Sequence, residues 1–173
     1  MAENVRPGDA LIMAGVLAAS GTARLIESGV AGAEFREYAA DIPLLSEEQI
    51  SFSDCYIKAV SRGGVLRTLW DIKKETGLGF NVALSDIPAR QETIEICERL
   101  DINPFYLEGD GAYIIVTGDE ERVLDECGIR HIPAAVIGHM KAGAGEIVRS
   151  GEVSFIERPK KDPYQGLFAP TSE

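Results

Sequence analysis

The chain has 173 residues, 45% of them hydrophobic, which is enough for one sizeable core and falls within the usual size of a single domain. With 17 basic residues against 28 acidic ones, the formal net charge is −11, which repels nucleic-acid phosphates and anionic lipid surfaces alike. No run reaches the roughly 20 apolar residues of a membrane span, and no basic flank with an apolar core opens the chain as a secretory signal would. A cytoplasmic protein that binds neither nucleic acid nor membrane is expected.

Taken in chain order, Arg6-Pro7-Gly8-Asp9 is a turn, and Ala10 to Ala14 is a short apolar run that predicts a buried strand. Ser20-Gly21-Thr22 starts a helix through Leu25 and Ile26, with Gly29 as its stop. Weaker helical patterns follow at Phe35 to Tyr38 and at Glu47 to Phe52, the latter with Ser46 as a natural N-cap. Tyr56 to Val60 predicts a second strand. From Gly64 to Thr76 the apolar residues Val65, Leu69 and Ile72 recur at helical spacing. Lys73 and Lys74 complement the end of this helix and Gly77 stops it.

Phe80 to Leu84 predicts a third strand. Asp86-Ile87-Pro88 is expected to open a helix that runs to about Leu100 and buries Ile94, Cys97 and Leu100. Phe105 to Glu108 and Ala112 to Thr117 flank Gly109-Asp110-Gly111 and predict a hairpin. Asp119 caps a helix carrying Val123, Leu124 and Cys127 that Gly128 ends, and Ala134 to His139 is the next strand. This strand, strand, helix, strand order is a ferredoxin-like fragment. Glu146 to Arg149 and Glu152 to Ile156 form a last hairpin around Ser150-Gly151. The whole is α/β (α+β), one mixed sheet of about six strands covered by helices, with one domain over residues 1–157 and a tail over 158–173 that wraps the surface or is disordered.

Among the chemistry-bearing residues, Ser61-Arg62-Gly63-Gly64 stands out because it links a strand to the strongest helix. Glycines let backbone N–H groups approach a ligand, a helix N-terminus favours an anion, and the Arg62 guanidinium offers a fork of donors for phosphate or carboxylate. The competing reading is structural: Ser61 caps the helix and the glycines make a tight turn. Cys97 and Cys127 fall on helix faces as small apolar residues, and the three cysteines contain no CxxC pair. His131 and His139 lack a third ligand, so no metal site is expected. Gly143-Ala144-Gly145 leads to a strand rather than a helix and is a turn, and Asp41, Glu47, Glu48 and Asp54 form a solvated face.

Several runs taken together resemble the C-terminal half of the AIR synthase (PurM)-related family, especially its HypE-type hydrogenase maturation factors. Ser61-Arg62-Gly63-Gly64-Val65-Leu66 is similar to the family's Thr-Arg-Gly-Gly-Leu run. Ile87-Pro88-Ala89-Arg90-Gln91-Glu92 resembles Ile-Pro-Val-Arg-x-Glu, and Leu100 to Leu107 resembles Leu-Gly-Leu-Asp-Pro-Leu-Tyr. Ala134-Ala135-Val136-Ile137-Gly138 is similar to Ala-x-Ile-Ile-Gly, and Gly77-Leu78-Gly79 and the Arg6 to Asp9 turn also match in order.

The resemblance implies a substrate-side domain, catalytically incomplete alone, whose missing N-terminal partner domain holds ATP and magnesium; no cofactor is expected within this chain. It leaves Ser61, Arg62, Gly63 and Gly64 as the anion- or substrate-binding candidates. A face left uncovered by the missing half predicts self-association as a dimer. Two departures weigh against family chemistry: Ala59 stands where the family carries an Asp, and the chain ends Ala169-Pro170-Thr171-Ser172-Glu173 without the acceptor cysteine of the HypE type. The alternative is a stand-alone, non-catalytic module that binds a small anion or a partner protein.

Overall fold

A computed structural model of the chain describes residues 1–164 and Leu167. The strands are β1 (Ala10–Ala14), β2 (Tyr56–Ala59), β3 (Gly79–Ala83), β4 (Tyr113–Thr117), β5 (Ala134–Lys141), β6 (Gly145–Arg149) and β7 (Glu152–Phe155). The helices are α1 (Ala19–Glu27), α2 (Gly64–Thr76), α3 (Gln91–Arg99) and α4 (Glu120–Ile129), and short 3-10 segments fall at Ala2–Asn4, Ala33–Asp41 and Leu84–Asp86. The strands form one seven-stranded sheet in the order β2-β4-β1-β5-β3-β6-β7. All neighbours are antiparallel except β3 and β6.

β1 lies inside the sheet and every one of its residues is buried. Leu11 and Met13 face a core shared with Leu25 of α1, Leu69 of α2 and Ile96 of α3. Ile12 and Ala14 face a smaller core with Val123 and Cys127 of α4 and with Ile50 and Phe52. A strand buried on both faces cannot alternate apolar with polar, which is why Ala10 to Ala14 is a continuous apolar run. α2 forms as its spacing predicts, turning Val65, Leu69 and Ile72 inward, and Gly77 closes it in the left-handed conformation with its N–H on the Lys73 carbonyl. Close approach also dictates Gly138 in β5: a Cβ there would lie 2.0 Å from the carbonyl oxygen of Asn81 in β3.

Three predicted elements are replaced, each because another group claims the backbone. Glu47 to Phe52 makes only a turn, in which the Ser46 N–H donates to Gln49 Oε1. The carbonyls of Gln49 and Ser51 accept from the guanidinium of Arg130, which follows α4, and this ties the segment down in its turn conformation. The helix expected from Asp86 begins at Gln91. Ile87, preceding a proline, is extended (φ −73°, ψ 122°), and the Pro88 carbonyl accepts the Leu17 N–H.

Phe105 to Glu108 is not a strand. Its Phe105 carbonyl accepts the Leu66 N–H of α2 and its Glu108 carbonyl accepts the Gly21 N–H of α1, so the segment closes two helix starts. The ferredoxin-like fragment therefore reduces to β4-α4-β5. These two strands both run antiparallel to β1 and bracket it. In the described part of the tail, Tyr164 and Leu167 pack against the main core, and the Tyr164 hydroxyl accepts the Asn103 N–H. Residues 165, 166 and 168–173 lie outside the described residues.

Candidate functional site

The Ser61-Arg62-Gly63-Gly64 loop lies where β2 ends and α2 begins. Ser61 does not cap the helix through its side chain. The N-cap is Gly63, in the left-handed region (φ 85°, ψ −5°), with no side-chain hydrogen bond at the cap. The Ser61 carbonyl instead accepts the N–H groups of Gly64 and Gly109, tying the loop to the Phe105 to Gly111 connection. Gly64 is buried with φ +70°, and a Cβ there would sit 2.5 Å from the Phe105 carbonyl oxygen and 2.7 Å from that of Leu107. Both glycines are thus required by backbone conformation, and Gly64 also by close approach.

Arg62 is exposed and forms no ion pair or side-chain hydrogen bond among the described residues. Around it the N-termini of α1 and α2 converge on the Phe105 to Gly111 connection. Their positive ends are offset by Glu108, which pairs with Arg24 at 2.7 Å, and by Asp110, which accepts from Ser20 Oγ at 3.3 Å. The arrangement presents one uncommitted guanidinium over a fixed backbone turn. It can hold an anion but brings no nucleophile and base together.

The strand leading into the loop carries a cation where the family pattern has an acid nearby. Ala59 is exposed, and Lys58 pairs with Glu75 of α2, which also accepts the Tyr56 hydroxyl. Lys58, then Tyr56, hold the Glu75 carboxyl below its usual range. Burial, followed by the hydrogen bond to Glu75, pushes the Tyr56 phenol up. This cluster braces β2 against α2 beneath the loop.

Elsewhere, burial pushes the Cys97 thiol up to about 11 and raises Cys127, so both are protonated core residues. His131 is exposed, His139 Nε2 lies 3.5 Å from Glu120, and no group of three or more His, Cys, Asp or Glu side chains able to hold a metal occurs among the described residues. Asp41, Glu47, Glu48 and Asp54 are all exposed, and Gly143 to Gly145 turns β5 into β6. No helix among the described residues is long and apolar enough to cross a membrane.

One feature is invisible in the sequence. A cleft of about 610 Å³ opens at the opposite end of the sheet, lined by Arg6, Asp9, Asp54, Cys55, Tyr56 and Thr117 among others. It joins the start of β1, the start of β2 and the end of β4, segments 40 or more residues apart, so no local motif announces it.

A mixed sheet sandwiched by helices, with a glycine turn feeding α2, is the architecture of AIR synthase-related C-terminal domains. Residues 6–151 match the family model "AIR synthase related protein, C-terminal domain", and the chain belongs to that family. It is 28% identical over 155 residues to the carbamoyl dehydratase HypE of Rhodobacter capsulatus, covering 84% of this chain and 46% of that protein. It is 27% identical over 151 residues to HypE of Rhizobium leguminosarum bv. viciae, covering 79% of this chain and 42% of that one.

The chain thus spans under half the length of these curated relatives. Among solved structures, the hydrogenase maturation protein HypE in complex with ATP superposes with a TM-score of 0.74 at 22% identity, over 94% of this chain and 54% of that one. Thiamine-monophosphate kinase from Stenotrophomonas maltophilia K279a does so at 0.63 with 17% identity, over 88% and 53%. These likenesses establish the shared fold.

Proposed function

We propose that this chain acts as the substrate-side half of a HypE-like, ATP-dependent protein in the cytoplasm, catalytically incomplete until joined to a nucleotide-binding half. The observation that carries the reading is the match of a C-terminal family model to residues 6–151 in a chain that spans 46% of a HypE relative. ATP and its magnesium then belong to the other half. This half supplies one wall of a site shared between the two halves, through the backbone turn at Gly63-Gly64 and the Arg62 guanidinium, which would orient an anionic or amide-type substrate group. With Ala59 at the end of β2 in place of an acid, this wall is assigned to positioning rather than to proton transfer.

The test is reconstitution. The chain is titrated with ATP and magnesium alone, and again with the separately expressed nucleotide-binding half of the Rhodobacter capsulatus relative. ATP consumption only in the mixture supports the proposal; turnover by the isolated chain at the same rate sinks it.

A second reading, a stand-alone anion-binding module, is favoured by one observation: Arg62 is exposed and uncommitted among the described residues. It predicts that inorganic phosphate raises the melting temperature of the chain and that Arg62→Ala abolishes the increase. Equal melting of both proteins with and without phosphate would reduce the loop to a helix start.

A further inference from the structure

The connection between α3 and β4 shapes the Arg62 loop. Its Phe105 carbonyl accepts the Leu66 N–H and its Glu108 carbonyl accepts the Gly21 N–H. The Phe105 and Leu107 carbonyl oxygens lie 2.5 and 2.7 Å from where a Cβ of Gly64 would stand. Residues 102–111 contain no helix or strand, so the shape of this connection depends on contacts with other parts of the chain.

At its start, half-buried Asn103 is held from two directions. Its Oδ1 accepts the Phe105 N–H at 3.0 Å and its carbonyl accepts the Tyr106 N–H at 3.1 Å, local bonds of the kind that asparagine makes in turns. Its own N–H donates to Tyr164 Oη at 2.7 Å, and Tyr164 stands 61 residues further along the chain. The tail is folded to make this contact. Asp162 Oδ1 accepts the Tyr164 N–H at 2.9 Å, and the Tyr164 carbonyl accepts the Leu167 N–H at 3.0 Å. Tyr164 and Leu167 pack against the same core as Leu100, Phe105 and Ile156. The ring alone would satisfy that packing, whereas the oxygen gives a half-buried N–H its partner.

We propose that Tyr164 is a positioning residue for the Arg62 loop, acting through the α3–β4 connection. Tyr164 Oη fixes Asn103, Asn103 fixes Phe105, and the Phe105 carbonyl bears on Gly64 while it closes the start of α2. With the tail docked, the connection holds the Gly63-Gly64 turn in its left-handed conformation. With the tail released, the Asn103 N–H loses its partner and the connection relaxes, so the turn loses the carbonyls that define it. No hydrogen bond or ion pair joins Tyr164 to Arg62 among the described residues, so the tail sets the loop without being a ligand in it. A loop that is set in a smaller fraction of molecules binds more weakly by that fraction. This consequence for binding rests on the reading of the loop as an anion site; the mechanical link does not.

The test compares the full chain with Tyr164→Phe, which removes the oxygen and keeps the ring, by amide hydrogen exchange resolved at single residues. The Asn103 amide should exchange about tenfold faster in the variant. The amides of Gly21, Gly64 and Leu66 should exchange about threefold faster or more, with those of β1 unchanged. Tyr164→Leu, which also removes the ring, should enlarge the effect over the same amides. Inorganic phosphate is then titrated into parent and variant, and its apparent dissociation constant should rise about threefold or more in Tyr164→Phe. Acceleration confined to Asn103 would overturn the proposal by making the contact purely local. Acceleration that extends equally to β1 would overturn it by making Tyr164 a determinant of global stability. Equal phosphate affinity in the two proteins would sever the brace from binding. A parent that binds no phosphate would sink the anion reading instead, and the exchange pattern at Gly21, Gly64 and Leu66 then decides the brace by itself.

Discussion

Gly64 and Arg62 are adjacent in the chain and play opposite parts. Gly64 combines φ +70° with carbonyl oxygens 2.5 and 2.7 Å from where a Cβ would stand. Gly64→Ala is therefore expected to destabilise the chain by about 3 kcal/mol or more, measured by urea unfolding, since strain and overpacking add. Arg62→Ala, at an exposed position, should stay within about 0.5 kcal/mol of the parent in the same measurement. Glu75 gives a pH signature. Its carboxyl titrates below the ordinary value of 4.5 in the folded state, so its contribution is present above that value and is lost as pH falls through the folded one. Glu75→Gln should cost about 0.5 kcal/mol at pH 7, a small figure for a half-exposed group, and should flatten the loss of stability between pH 7 and the acid range.

At the scale of elements, what the sequence revealed depended on whether the decisive interactions were local. α2 has its bounds, its apolar stripe and its glycine stop written into consecutive residues, and it forms over Gly64–Thr76 as they dictate. Asp119 likewise caps α4 by accepting the Arg122 N–H at 3.2 Å, and Asp119→Ala should cost about 1 kcal/mol in thermal or chemical unfolding. The turn at Glu47 and the connection at Phe105 could not be read in the same way. Their backbone groups are claimed by Arg130 and by the starts of α1 and α2, which are 39 or more residues away in the chain. Arg130, which also stacks 4.5 Å from the Phe52 ring, holds the 46–55 segment against α4. Arg130→Ala should make that segment the first to exchange amide hydrogens and the first cut by protease, with little change at α2.

For the whole molecule, a net charge of −11 on 173 residues is a source of self-repulsion that salt screens. Raising sodium chloride from about 10 to 200 mM should raise the melting temperature by a few degrees; an unchanged or falling value would mean that the surface ion pairs, such as Arg24 with Glu108, outweigh the repulsion. The family was legible before any coordinates, because its motifs are short runs whose order survives along the chain. The loop at Ser61 to Gly64 was legible as a place but not as a geometry. The glycines announced a turn, yet only the fold shows that the Phe105 and Leu107 carbonyls press on Gly64 while Ser61 spends its carbonyl rather than its hydroxyl. By itself the sequence determined which segments become helix or strand wherever periodicity and end residues agree, since those preferences act over a few residues. Tertiary structure alone decided the strand order, the cleft beside Cys55, the two helix starts closed by one connection and the exposed edge at β7, because each depends on contacts between residues far apart in the chain.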